Sequence, residues 1–278
     1  MCNCNRQPSA KSIPSVSQSN LKVINGVEVD YKKYPYFGVL WIDGFPGCGA
    51  SLIRRRTRNI VITAAHCVYQ KRAARLQVGL YQPTRTTKKY IYNVLKVIIH
   101  PNYNDNTFEN DIALLYISAT PPTIVVPLRI PSKSLGLTFT VPGTKTKVIG
   151  YGSTNPDYND PSNKLLLGDV PIISKNSSVN NQYDPSEITN GMILSAKFFP
   201  DPSQNVDSCS GDSGGPLLYV YNGVTYLVGL VSWGNGCAIS GYPGVYTDIT
   251  PTENGSPKMR AFNLQSIFYK EVSYQYPA

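Results

Sequence analysis

Asp207-Ser208-Cys209-Ser210-Gly211-Asp212-Ser213-Gly214-Gly215-Pro216 is the stretch on which the reading turns. A serine flanked by glycine on a tight turn can expose its hydroxyl. Gly211 has no Cβ, so a backbone N–H there can approach a substrate carbonyl. The same residues can also form an ordinary Gly/Ser/Asp turn, and a bare GxSGG match does not separate the two. Chemistry at a serine needs a base, and histidine, whose pKa lies near neutrality, is the usual one. The chain has two, His66 and His100. His66 lies in Thr63-Ala64-Ala65-His66-Cys67, at the end of the apolar run Ile60–Thr63. His100 is followed by Pro101 and reads as a turn or packing residue.

Around these motifs the chain is built for strands. Of 278 residues only 15% are charged, while Gly and Pro number 22 each and Tyr 20. That mix favours short strands joined by turns over long helices. Runs rich in Val, Ile, Leu and Tyr recur at Tyr36–Ile42, Ala50–Ile53, Ile60–Ala64, Leu76–Tyr81, Tyr92–Ile99, Ile112–Ile117, Lys147–Tyr151, Leu165–Ile173, Pro216–Val220, Thr225–Trp233 and Gly244–Ile249. This spacing predicts an all-β sandwich or pair of barrels. One late segment differs: Leu264, Ile267, Phe268 and Val272 form a helical stripe, which predicts a C-terminal helix from about Ser256 to Val272, docked on the second half. The Pro-rich stretch Pro121–Pro131 reads as the connection between two halves.

The net charge is +9. The basic residues are scattered apart from Arg54-Arg55-Arg56, Lys71-Arg72 and Lys88-Lys89, with no aromatic-interleaved platform and no nucleic-acid motif. A solvated basic face is the plain reading, and an anionic matrix or cell surface is the remaining option. No apolar run is long enough to span a bilayer. Residues 1–22 are polar, lack the apolar core of a signal peptide, and read as a leader. Six cysteines are present, without zinc-type spacing. Two disulfides among Cys48, Cys67, Cys209 and Cys237 would place the chain in an extracellular or other oxidising compartment. Cys2 and Cys4 have no evident partner.

Three motifs in one order carry a resemblance: Thr63-Ala64-Ala65-His66-Cys67, then Asn110-Asp111-Ile112-Ala113-Leu114-Leu115, then Gly211-Asp212-Ser213-Gly214-Gly215-Pro216. From Val23 to about Thr250 the chain resembles the chymotrypsin/trypsin serine proteases. The resemblance implies two antiparallel six-stranded β-barrels, about 23–127 and about 128–256, followed by a C-terminal helix and tail at 257–278. It also implies a serine endopeptidase acting through an acyl-enzyme, a monomer with no metal or cofactor. Its partners would be protein or peptide substrates and protease inhibitors, with no nucleic acid. Ser213 would be the nucleophile, His66 the general base, and Asp111 the residue that holds the imidazole. The N–H groups of Gly211 and Ser213 would form the oxyanion hole.

Further roles follow from the same resemblance. Asp207 would floor the specificity pocket, with Ser232, Trp233, Gly234 and Gly244 as its walls, which favours Lys or Arg before the cut bond. Lys22-Val23-Ile24-Asn25-Gly26 resembles an activation site: cleavage after Lys22 would free the Val23 amine to pair with Asp212, so the chain would be a zymogen. Disulfides Cys48–Cys67 and Cys209–Cys237 are implied. Three departures stand out: a missing disulfide, a loop without calcium ligands and a longer C-terminal tail. Leu194 occupies a position where the family often has a disulfide cysteine, which predicts a looser loop at Ser174–Asn190. Leu80–Tyr90 has no acid to bind calcium. Asn176 and Asn254 begin sequons. The runner-up reading is a catalytically inactive, protease-like binding protein.

Overall fold

The computed structural model describes residues 23–55, 58–80, 90–155, 158–179 and 181–250. The strands run β1 (Val27–Glu28), β2 (Phe37–Ile42), β3 (Phe45–Arg55), β4 (Arg58–Thr63), β5 (Leu76–Leu80), β6 (Ile91–Ile99) and β7 (Ala113–Ile117) in the first half. The second half has β8 (Lys147–Gly150), β9 (Ser153–Asn155), β10 (Tyr158–Pro161), β11 (Leu166–Asp169), β12 (Ile172–Ile173), β13 (Met192–Ser195), β14 (Pro216–Tyr221), β15 (Val224–Trp233) and β16 (Gly244–Asp248). Leader, C-terminal helix, Cys2, Cys4, Lys22 and the Asn254 sequon lie outside the described residues.

Barrel one closes in the order β2-β3-β4-β7-β6-β5. Its strands show two kinds of pattern. In β6, Tyr92 and Val94 point inward while Asn93 and Leu95 face solvent, the alternation of a half-buried strand. In β4, Ile60, Val61, Ile62 and Thr63 are all buried, because one face fills the barrel and the other is covered. Leu40, Leu52, Leu76, Leu80, Leu114 and Leu115 complete this interior. Each such side chain contributes about 1.5–3 kcal/mol relative to exposure.

Barrel two is drawn as an eight-stranded sheet, β1-β11-β8-β14-β15-β16-β13-β12, yet it returns on itself through one bent strand. β11 pairs with β8, and β12, two residues further on, pairs with β13. Between them Val170 N–H donates to Thr146 O at 2.9 Å and Ile172 N–H to Thr144 O at 3.0 Å, so the ladder never opens. The bend falls at Pro171, which has no N–H to give a ladder. Counting β11 and β12 as one strand and setting aside the two-residue, exposed β1, six strands enclose this core, as expected.

Three local features were not anticipated. A short helix α1 (Lys133–Phe139) begins at Ser132, whose Oγ accepts from Leu135 N–H; Phe139 ends it and packs on Tyr219, Tyr221 and Tyr226. The Ser174–Asn190 loop is tied in without a disulfide. Tyr183 is buried there, donates its hydroxyl to Pro243 O at 3.0 Å, and packs with Met192, Leu194 and Val245. Leu194, fully buried in β13, thus supplies apolar packing where a cysteine was expected.

Candidate active site

His66 follows β4 in the turn that opens after Thr63, and Asp111 lies two residues before the start of β7. Because β4 and β7 pair with Thr63 opposite Ala113, the register alone brings the two residues together. Asp111 Oδ2 lies 2.7 Å from His66 Nδ1, and Oδ1 accepts the His66 backbone N–H at 2.8 Å. The Ser232 hydroxyl from β15 also donates to Oδ2, at 2.6 Å. Asp111 is fully buried, so these donors replace its hydration. Ser232, expected in the pocket wall, therefore has its side chain on Asp111 and links the two barrels. Phe108, absent from the sequence reading, sets its ring edge-on to His66 at 5.7 Å. His100 is buried, and its Nδ1 accepts from Asn102 N–H, a packing role.

Ser213 comes from barrel two and reaches the same place. Its carbonyl accepts Gly49 N–H at 2.8 Å, across the junction from β3. The Cys67 sulfur lies 3.6 Å from His66 Nε2 and 3.7 Å from Ser213 O, so both residues flank one atom. The junction is closed by glycines. A Cβ on Gly49 would fall 2.7 Å from Gly215 Cα, and one on Gly214, at φ +76°, would fall 2.2 Å from Thr63 Oγ1. Asp212, Gly214 and Gly215 donate their N–H groups to Cys209, Val231 and Asp212 carbonyls. Among the described residues, the N–H groups of Gly211 and Ser213 have no such acceptor. Two neighbouring donors left open beside a serine can hold a developing oxyanion.

Disulfides Cys48–Cys67 and Cys209–Cys237 are both formed. Cys48, His66 and Cys67 cluster as a metal site would, but the sulfurs are bonded to each other and offer no thiolate. A family model, Trypsin, matches residues 23–254. The chain belongs to the trypsin family. It is similar to Trypsin-2 of Salmo salar, 37% identical over 82% of this chain and 90% of the relative. Trypsin-1 of Astacus astacus is 34% identical over 82% and 95%. Urokinase-type plasminogen activator of Gallus gallus is 30% identical over 92% of this chain and 60% of that relative's length. The protein is thus a serine-type endopeptidase of the trypsin-like kind. Among the described residues no helix is long and apolar enough to cross a membrane.

In this trypsin-family enzyme Asp207 is buried beside Gly244. A Cβ on Gly244 would fall 2.6 Å from Asp207 Oδ1 and 3.0 Å from Ser208 Oγ; one on Gly234 would reach Gly244 Cα at 3.9 Å. Gly244 is therefore required by its close approach to the carboxylate, whereas a Cβ on Gly234 would make only ordinary contacts. Burial pushes the Asp207 carboxyl up to about 7, against the pull of N–H donors from Ala238, Ser208 and Gly244. Trp233 stands on Tyr183, ring centroids 5.2 Å apart.

Asp212 is also fully buried. Burial raises it to about 6, opposed by N–H donors from Cys209 and Gly152. A Cβ on Gly150 or Gly152 would overlap its carboxylate, so both glycines are required by that approach. Val23 is buried with Val148 and Val206, and Ile24 bridges to Asp207. Nothing in the spacing of Ser232, Phe108, Gly150 or Gly152 announced these contacts, because all four sit far along the chain from the groups they touch.

Proposed function

We propose that this enzyme hydrolyses peptide bonds after Arg or Lys through an acyl-enzyme. The observation that carries the specificity is the buried Asp207 carboxylate, which the Gly244 backbone approaches so closely that a Cβ there would fall 2.6 Å from Oδ1. Ser213 Oγ attacks the scissile carbonyl carbon while His66 Nε2 takes its proton. The carbon–nitrogen bond then breaks, and the imidazolium passes that proton to the leaving amine. Water repeats the attack through the same base, releasing the acid and restoring the serine. Asp111 holds the ring so that Nε2 faces the serine and stabilises the imidazolium. Gly211 and Ser213 N–H groups receive the oxyanion.

The chain is made as a zymogen, with residues 1–22 as the activation peptide and 23–256 as the protease domain. Cleavage after Lys22 gives Val23 an ammonium that pairs with Asp212. Two features support this reading. Asp212 is a buried carboxylate with backbone donors and needs a counter-charge. Val23 has φ +36°, which is strained for a β-branched residue; a free N-terminal residue has no φ. The Val23 amine gains a partner on folding, so its pKa is raised. The active form is held below that pKa and is lost as pH climbs through it. An oxidising, extracellular setting fits the two disulfides.

Paired fluorogenic peptides test the reading, with Arg or Lys against Phe or Leu before the cut. The activated enzyme should cleave the cationic pair, and Asp207→Ser should reduce that cleavage by about a thousandfold or more. Preference for Phe would refute the pocket assignment. An inactive binding protein would leave Ser213 unlabelled by a fluorophosphonate.

A further inference from the structure

Asn205 stands two residues before Asp207 and is fully buried. A carboxamide taken out of water needs partners for its oxygen and for both of its N–H groups. All three are met. Oδ1 accepts Phe199 N–H at 2.9 Å, and Nδ2 donates to Ala238 O at 2.9 Å and to Ser240 Oγ at 3.1 Å. The partners fix its orientation, because Phe199 N–H can only donate and Ala238 O can only accept. The backbone it grows from is held as well. Asn205 N–H donates to Pro202 O at 3.1 Å, and its carbonyl accepts Asn25 Nδ2 at 2.7 Å. Lys197 and Val206 close this loop by exchanging both backbone bonds, at 2.9 and 2.8 Å.

The carboxamide reaches from this loop into another. Ala238 and Ser240 follow Cys237, which a disulfide joins to Cys209 in the turn that carries Ser213. Ala238 has φ +57°, a left-handed backbone that alanine adopts only at a cost. Its carbonyl faces Asn205, and its N–H donates to Asp207 Oδ2 at 3.1 Å. One residue thus links the buried amide to the buried carboxylate. Burial raises the Asp207 carboxyl, and Ala238 N–H is the foremost of the backbone donors that oppose the rise, ahead of Ser208 and Gly244. Among the described residues, the titratable groups facing Asp207 are Asp212, Tyr183 and Tyr246.

We propose that Asn205 is a positioning residue for substrate specificity: its side chain clamps Ala238 and Ser240 so that Ala238 N–H stays aimed at Asp207. The inference rests on Asp207 as the acid that receives Arg or Lys. Without the clamp, Ala238 relaxes out of the left-handed region and its N–H leaves the carboxylate. Asp207 then ionises less readily and meets a cationic side chain less well. Asparagine suits the place because aspartate lacks the two donors and glutamine would carry the amide one methylene further. Asn205 has no contact with His66, Asp111 or Ser213, so the chemical step keeps its rate.

Three probes of the active enzyme test the clamp. Benzamidine reads the pocket, a short arginine peptide separates KM from kcat, and a fluorophosphonate reads Ser213 without entering the pocket. Asn205→Ala should bind benzamidine about tenfold more weakly and raise KM for the peptide by about the same factor. Its kcat should change by less than about threefold, and its labelling rate should match the parent's. The loss of benzamidine affinity from pH 8 to pH 6.5 should be about twofold larger than in the parent, because ionised Asp207 is lost at a higher pH. Asn205→Asp keeps the acceptor for Phe199 N–H and loses both donated bonds. It should show the same pattern, and it decides the matter if the alanine variant does not fold. Benzamidine binding unchanged in the variants overturns the proposal, as does a fall in kcat and labelling in step with KM. A parent that prefers Phe and binds no benzamidine defeats the Asp207 reading itself, and the clamp with it. A parent that binds benzamidine, beside variants that bind it equally, defeats the clamp alone.

Discussion

The two barrels share a ladder count but not a job. Barrel one closes through backbone bonds between whole strands, and its one fully buried acid, Asp111, sits among hydrogen-bond donors at a strand end. Barrel two closes through a strand bent at Pro171 and buries Asp207 and Asp212 completely. In those two, burial raises the carboxyl towards neutrality, against the pull of backbone N–H donors. The lesson is one of partners. Barrel one presents its imidazole and carboxylate already paired, whereas the two buried carboxylates of barrel two have backbone N–H groups as their donors.

The largest test of this division concerns the serine that barrel two contributes. Ser213→Ala should lower peptide hydrolysis by about a millionfold and leave the fold intact by circular dichroism. Retention of more than a thousandth of the parent rate would mean that another group attacks. Next in size is Gly244→Ala, whose Cβ would sit 2.6 Å from Asp207 Oδ1. It should cost about a hundredfold in kcat/KM on an arginine peptide and far less on an alanine peptide. Equal losses on both would place the damage outside the pocket. Ser232→Ala removes the hydroxyl that joins barrel two to Asp111 and should cost about tenfold in kcat, with KM little changed.

The smallest effect is a pH dependence. Ionised Asp207 is the form that pairs with a cation, and its folded pKa is raised, so the pocket loses charge as pH falls through about 7. Inhibition by benzamidine should be about fourfold weaker at pH 6.5 than at pH 8. A flat profile over that span would show that the empty pocket keeps Asp207 ionised.

Much of this was legible beforehand because the informative residues are local. Thr63–Cys67, Asn110–Leu115 and Asp207–Pro216 are short strings whose chemistry and order survive without coordinates. Strand periods marked most of the ladder, but β13 was missed: Met192–Ser195 is only four residues long and buried at every position, so it shows no alternation. Helix α1 was missed for a similar reason, since seven residues give little period to read. The predicted looseness of Ser174–Asn190 rested on an absent cysteine, whereas Tyr183 ties that loop in with a hydroxyl bond and ring contacts.

From the amino acids alone came the family resemblance, the all-β class, the candidate triad and Asp207 as the candidate specificity acid. Each is written in residue type and order, which a linear string preserves. Tertiary structure alone decided that Ser232 donates to Asp111, that Phe108 stands against His66, and that Gly150 and Gly152 clear space for Asp212. Those facts depend on strand register and on approach between segments far apart in the chain, and no local pattern encodes a distance between them.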